Sequence, residues 1–248
     1  MHRSHQKNYI LSYILFSILF SLPLIFMIFI LNSKKPSPSI DTDQNISPQK
    51  SLTVIIDAGH GGEDGGAIGK NGVYEKDINL DVAKDLSSML RSCGINVVMT
   101  RETDTMLYEK NVDYKGRKKL LDLAARLKIG ESYDNCIFVS IHMNSFPQEK
   151  YRGLQVYYSP NRPESALLAN AIQDSVHTSL QPQNQRKTKS ATKSIFLMDR
   201  ISKPAVLIEC GFISNAEECD LLCSHDYRQK LTFAIFCGIT EFISENTT

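Results

Sequence analysis

From Thr53 onward the chain alternates short runs of branched apolar residues with longer stretches whose apolar residues recur every three or four positions. The short runs read as strands and the periodic stretches as helices. Strands are expected at 52–56, 95–99, 137–141, 154–158, 195–198 and 205–208. Most are continuously apolar rather than alternating, which is the pattern of a mostly parallel sheet buried on both faces. Between the first two, Ile78, Val82, Leu86, Met89 and Leu90 keep helical spacing, and Gly94 is placed to end that helix. Further helices are expected over 164–180, over 216–222 with Asn215 as N-cap and Glu218 completing a capping box, and over 227–243. No internal repeat is evident. The pattern describes a single α/β domain over 51–248, a central sheet of about six strands flanked by helices.

Residues 1–50 follow a different rule. The run from 10 to 31 carries no charge and, as a helix, covers about 33 Å, enough to span a hydrocarbon core. Arg3 and Lys7 precede it and Lys34 and Lys35 follow, so residues 1–32 read as a signal anchor or a signal peptide, with no clear cleavage site and no Cys to take a lipid. Residues 33–50 are rich in Pro and Ser and read as a tether. The cytoplasmic membrane is therefore an expected partner of the N-terminal helix, and the domain an exported one.

Charge removes one class of function. The chain has 28 Lys+Arg against 27 Asp+Glu, and the domain alone is slightly acidic, so no nucleic acid partner is expected. Of the 6 cysteines, Cys136 and Cys210 fall in apolar strand-like runs, and free thiols are expected despite export. Cys219, Cys223 and His225 lack metal-ligand spacing and read as helix packing.

Three strands end in chemically capable residues. His60 follows the first, His142 ends FVSIH, and Glu209 ends AVLIE. Ligands of open α/β sheets bind beyond the carboxyl ends of strands, so the three converge on one edge. The glycine-rich run 59–66 lacks the features of a nucleotide cradle, whereas a His within it suits a metal. Two His and one carboxylate, with a position left open, is a catalytic zinc set. Glu63 and Glu75 both compete to be the carboxylate; the helix start at Glu75 is the more rigid support.

The segments IIDAGHGGEDGGAIG at 55–69, EKDINLDVAKDL at 75–86, VVMTRETD at 97–104, FVSIHMNS at 138–145, GLQVYYS at 153–159 and PAVLIECGFISN at 204–215 together resemble the zinc-dependent N-acetylmuramoyl-L-alanine amidases known as amidase 3. The resemblance covers essentially the whole domain. It implies one Zn2+ per domain held by His60, Glu75 and His142, with Glu209 as catalytic acid and base and Glu63 as a variable loop position. It implies a peptidoglycan substrate, cut between the lactyl group of muramic acid and L-alanine. Asn144 and Arg101 fall in matching motifs as substrate-binding candidates, although Arg101 could simply pair with Asp104. The Gly-Arg-Lys-Lys stretch at 116–119 and the short anchor resemble the membrane-targeted, germination-specific amidases of spore formers, implying a role in muramic-δ-lactam formation in spore cortex.

The sequence departs from the commoner family pattern at Met143 and Ser145, where small residues are usual; a bulky Met beside the ligand would reshape the cleft. No long regulatory insert separates His142 from Glu209 and no wall-binding repeat is appended, so retention at the wall would rest on the anchor or on a protein partner, an activator among the candidates. Two alternatives stay open: a binding or scaffolding module with a weak metal site, and a zinc carboxypeptidase or deacetylase using His60, Glu63 and His142. The basic runs 115–119 and 186–193 read as solvated faces.

Overall fold

The apolar runs of the sequence become the middle of a sheet, and the periodic stretches cover it. The computed structural model describes residues 51–108 and 115–246. In chain order these form β1 (Thr53–Ala58), α1 (Glu75–Ser92), β2 (Asn96–Met99), α2 (Lys118–Glu131), β3 (Cys136–Asn144), β4 (Gln155–Tyr158), α3 (Glu164–Ser179), β5 (Lys189–Ser190), α4 (Phe196–Arg200), β6 (Ala205–Phe212), α5 (Ala216–Cys223) and α6 (His225–Asn246). The expected anchor at 1–32 and the tether at 33–50 lie outside the described residues.

The strand order is β2-β1-β3-β6-β4-β5, parallel throughout except where β4 pairs antiparallel with β6. Side chains of one parity, among them Val54, Ile56, Val139, Ile141, Val206 and Ile208, pack under α1, α3 and α6 in the larger core. Each such fully buried aliphatic side chain contributes about 1.5–3 kcal/mol by leaving water. The other parity begins apolar, with Ile55, Phe138, Ala205 and Leu207 against α2 and α4. It turns polar toward the strand ends, at Asp57, Ser140, His142 and Glu209. One face of the sheet thus runs from core into site along each strand.

Local signals act as the sequence suggests at most boundaries. Gly94, with φ 77°, closes α1 as its N–H bonds back to Arg91. Asn215 caps α5 by accepting from the Glu218 N–H at 2.9 Å. The reciprocal half of that capping box is absent. The buried Glu218 carboxylate instead accepts from the backbone of Gly153 (2.8 Å) and Phe212 (2.8 Å), tying the entry to β4 to the end of β6.

The expected strand at 195–198 is wrong. Residues Phe196–Arg200 form a short helix whose Leu197 and Met198 fill the smaller core, and the sixth strand is the two-residue, exposed Lys189–Ser190. A four-residue apolar run has too little length to separate the two periodicities. All six cysteines are free thiols, with Cys136, Cys210 and Cys219 buried.

Candidate functional site

Each candidate residue arrives from a different element. β1 delivers His60 two residues past its end, the first turn of α1 delivers Glu75, β3 delivers His142, and β6 delivers Glu209. His142 and Glu209 are in-register partners on adjacent parallel strands, so their side chains leave the same sheet face.

His60, Glu75 and His142 come together, with one potential ligand atom from each lying within 4.8 Å of the other two. Glu75 Oε1 sits between the rings, 3.2 Å from His60 Nε2 and 3.0 Å from His142 Nδ1. Bonds of about 2.0–2.1 Å to a tetrahedral zinc put ligand atoms about 3.3 Å apart, so the donor set and its spacing fit that ion. Glu75 is itself fixed: its oxygens accept from the backbone N–H groups of Ala67 (2.9 Å) and Met143 (3.1 Å) and from Asn79 (3.3 Å). Backbone close approach sets the rest. A Cβ at Gly59 would collide with the His142 ring, and one at Gly66 (φ 69°) would lie 2.6 Å from Glu75 Oε2 and 2.9 Å from the His60 ring.

The charged groups of the cluster shift one another's pKa values. Burial alone would lower the His60 pKa, but Asp64 and Glu75 reverse this and raise it to about 9. Burial likewise opposes ionisation of Glu75, yet the two histidines hold its carboxyl far below the usual range. For Glu209 burial wins and lifts the carboxyl to about 7, with His142 opposing and Glu75 adding. Its Oε2 is sealed from solvent and has no hydrogen-bond partner. A buried, unpaired carboxylate oxygen is costly and calls for a functional explanation.

Glu63 is not in the cluster. It is exposed and pairs with Lys118 at 2.5 Å. Arg101 is buried beneath the site rather than open to it: its guanidinium donates to the carbonyls of Ala58, Gly59, Lys76 and Thr103, and no direct bond to Asp104 forms. Asp104 pairs with Lys76. Asn144, two residues past His142, is half-buried and its carbonyl accepts from Ile213 N–H at 2.9 Å. Met143 does not line the cleft, because strand alternation turns it into the larger core, where it is 3% exposed.

A buried ionic network below His60 escaped the sequence reading. Arg126 of α2 donates to Asp57 (2.7 Å), to Asp122 (2.7 Å) and to the carbonyls of Ala58 (2.7 Å) and His60 (2.6 Å). Asp57 also accepts from Ser140 and Thr100. Two guanidiniums therefore hold the carbonyls of 58–60, which fixes His60 in its left-handed conformation (φ 61°). An Asp inside the apolar run at 54–58 was the one available sign. A cavity of about 190 Å³ opens beside the cluster between His60, His142, Phe196 and Leu207. A larger hollow of about 520 Å³, near Arg186 and Tyr227, contains none of the candidate residues.

Known proteins share this arrangement of sequence. Residues 54–241 match the family described as N-acetylmuramoyl-L-alanine amidase, Amidase_3. The chain is 35% identical over 198 residues to the germination-specific N-acetylmuramoyl-L-alanine amidase of Bacillus subtilis strain 168, covering 80% of this chain and 82% of that protein. It is 28% identical over 231 residues to the amidase AmiA of Escherichia coli K12, covering 76% and 75%. Among solved structures, the CwlD amidase from Clostridioides difficile, determined in complex with the GerS lipoprotein, superposes with a TM-score of 0.74 at 38% identity, covering 78% of this chain and 99% of that one.

Proposed function

This chain belongs to the Amidase_3 family of N-acetylmuramoyl-L-alanine amidases, and on that premise we propose that it is a zinc enzyme whose ion is held by His60, Glu75 and His142 and whose acid and base is Glu209. Peptidoglycan is its substrate class. The bond cut is the amide between the muramic lactyl carbonyl and the L-alanine nitrogen, giving a lactyl carboxylate and a free alanine amine.

The observation that carries the assignment of Glu209 is its sealed, unpartnered Oε2 on the strand position paired with His142. When bound, zinc supplies Lewis acidity toward the carbonyl and lowers the pKa of water at the site. Glu209 takes a proton from the attacking water and returns it to the leaving nitrogen, so one carboxyl serves as base and then as acid. Burial raises that carboxyl above its ordinary range, which favours uptake of the proton it must carry. Met143 N–H and Asn79 keep Glu75 aimed between the histidines, and Arg101 and Arg126 keep the His60 backbone in place. The carboxypeptidase alternative through Glu63 is less favoured, since that exposed side chain pairs with Lys118 outside the cluster.

Similarity to the germination-specific amidase of B. subtilis supports a role in spore cortex, and we extend it to the amidase step of muramic-δ-lactam formation. The apolar run at 10–31 supports export with the domain tethered at the outer face of the cytoplasmic membrane. By likeness to CwlD, solved with the GerS lipoprotein, a protein partner is part of the proposal. The test is Glu209→Gln in the full chain: zinc content should stay at one per chain while release of alanine amines falls by about 10²–10⁴. Activity equal to wild type at equal zinc content would overturn the assignment.

A further inference from the structure

Part of the basic run at 115–119 also contacts the site loop, although the run is exposed except at the half-buried Lys118. α2 begins within it, and its first turn docks on the loop that carries His60: Lys118 Nζ reaches Glu63 at 2.5 Å, and Lys119 Nζ reaches Asp64 Oδ2 at 3.3 Å. The same Asp64 oxygen lies 2.9 Å from His60 Nδ1, the ring nitrogen opposite the one that faces Glu75. That contact is at ion-pair distance without the alignment of a hydrogen bond, and Asp64 is the acceptor beside this otherwise unpartnered buried nitrogen. Asp64 is in turn braced, accepting from the Gly66 N–H at 3.3 Å.

We propose that Asp64 is the positioning residue of His60, and that Lys119, by sharing the same carboxylate oxygen, sets how strongly it acts and hence how tightly the His60–Glu75–His142 cluster holds its ion. A carboxylate on the far nitrogen of a ligating imidazole fixes the tautomer that presents Nε2 to the metal and raises the ring's basicity, and losing such a partner costs about 10–100-fold in affinity. Lys119 works against this. Its ammonium, 3.3 Å from Asp64 Oδ2, draws charge from that carboxylate. Both residues line the 190 Å³ cavity beside the cluster. The side chain of Lys119 is 65% exposed and that of Asp64 20% exposed, so either can be changed without opening the core.

This inference rests on the metal reading of the cluster, and the experiment separates the two. Zinc affinity of the full chain is measured by competition with a chromophoric chelator for wild type, Asp64→Asn, Lys119→Gln and the double variant. The visible spectrum of each cobalt-loaded protein is recorded in parallel. D64N should bind zinc about 10–100-fold more weakly and shift the cobalt bands. K119Q should bind about 1.5- to 5-fold more tightly, the scale of a surface ion pair, and should have no effect once Asp64 is Asn. Unchanged affinity in either single variant, a loss on removing Lys119, or an equal gain in both backgrounds overturns the inference. A wild-type chain that takes up no zinc overturns the metal reading along with it, whereas tight wild-type zinc with an indifferent D64N overturns this inference alone.

Discussion

Arg126→Met is the perturbation that most severely probes how the site is supported. Arg126 is 1% exposed, and it bridges Asp57, which is fully buried, to Asp122, which is 3% exposed. Methionine roughly preserves the packed stem but leaves two buried carboxylates without their cation. Asp57 would keep Ser140 and Thr100, and Asp122 would keep the Leu107 N–H. Breaking a buried pair by removing one partner costs about 3–5 kcal/mol. For a domain of this size that converts to a melting temperature about 6–20 °C lower.

The pH dependence adds a second, signed check. In the folded wild type, burial pushes the Asp57 pKa up, but Arg126 and the hydroxyl donors outweigh it and the carboxyl titrates below its ordinary value. A depressed folded pKa gives stability that is present above the unfolded pKa, near 4, and is lost as the pH falls through the lower folded value. Without Arg126, burial dominates, the folded pKa rises, and ionised Asp57 destabilises the variant at neutral pH. That penalty is relieved on acidification. The gap between the two proteins should therefore be widest near pH 7 and narrow toward about pH 4. Chemical denaturation followed by circular dichroism at both pH values reads it directly. A loss under about 1 kcal/mol at pH 7, or a gap that widens on acidification, would refute the reasoning.

Other substitutions test separate parts of the site. Gly59→Ala should abolish zinc uptake while leaving the far-UV spectrum unchanged, because the new methyl group occupies the place of the His142 ring. Glu75→Ala should lose the ion, and Glu63→Ala should retain it and weaken only a surface pair with Lys118, as elemental analysis of the two purified proteins would show. Glu218→Leu should cost about 1–3 kcal/mol in denaturant titrations, since it leaves the Gly153 and Phe212 N–H groups buried without an acceptor.

What could be read from the sequence follows the apolar pattern. β1, β3 and β6 are buried on both faces and stand out as continuous runs; His142 and Glu209 inherit their position from strand register, although β3 and β6 run on past them to Asn144 and Phe212, and His60 follows β1 in a turn. Glu75 was legible as a helix start on a rigid support. α2 was not: Leu123 and Leu127 pack into the smaller core, but its fully buried positions are Asp122, Arg126 and Gly130 rather than an apolar stripe. The charges that give α2 its role look like surface charges until Asp57 is seen beneath them. The strand at 195–198 failed for the opposite reason: its apolar character was real, but the run was too short to carry a period. Arg101 was read as a substrate-binding candidate or a partner of Asp104, and its motif position is equally consistent with the place it takes, under the His60 loop.

The most direct test of the central claim is to strip the full-length protein of metal, restore one zinc per chain, and digest purified peptidoglycan with each form, counting newly freed L-alanine amines on stem peptides by mass spectrometry. The account predicts release by the zinc-loaded form and none by the stripped form. Equal release by both, or zinc-dependent release of acetate or of C-terminal residues without alanine amines, would contradict it.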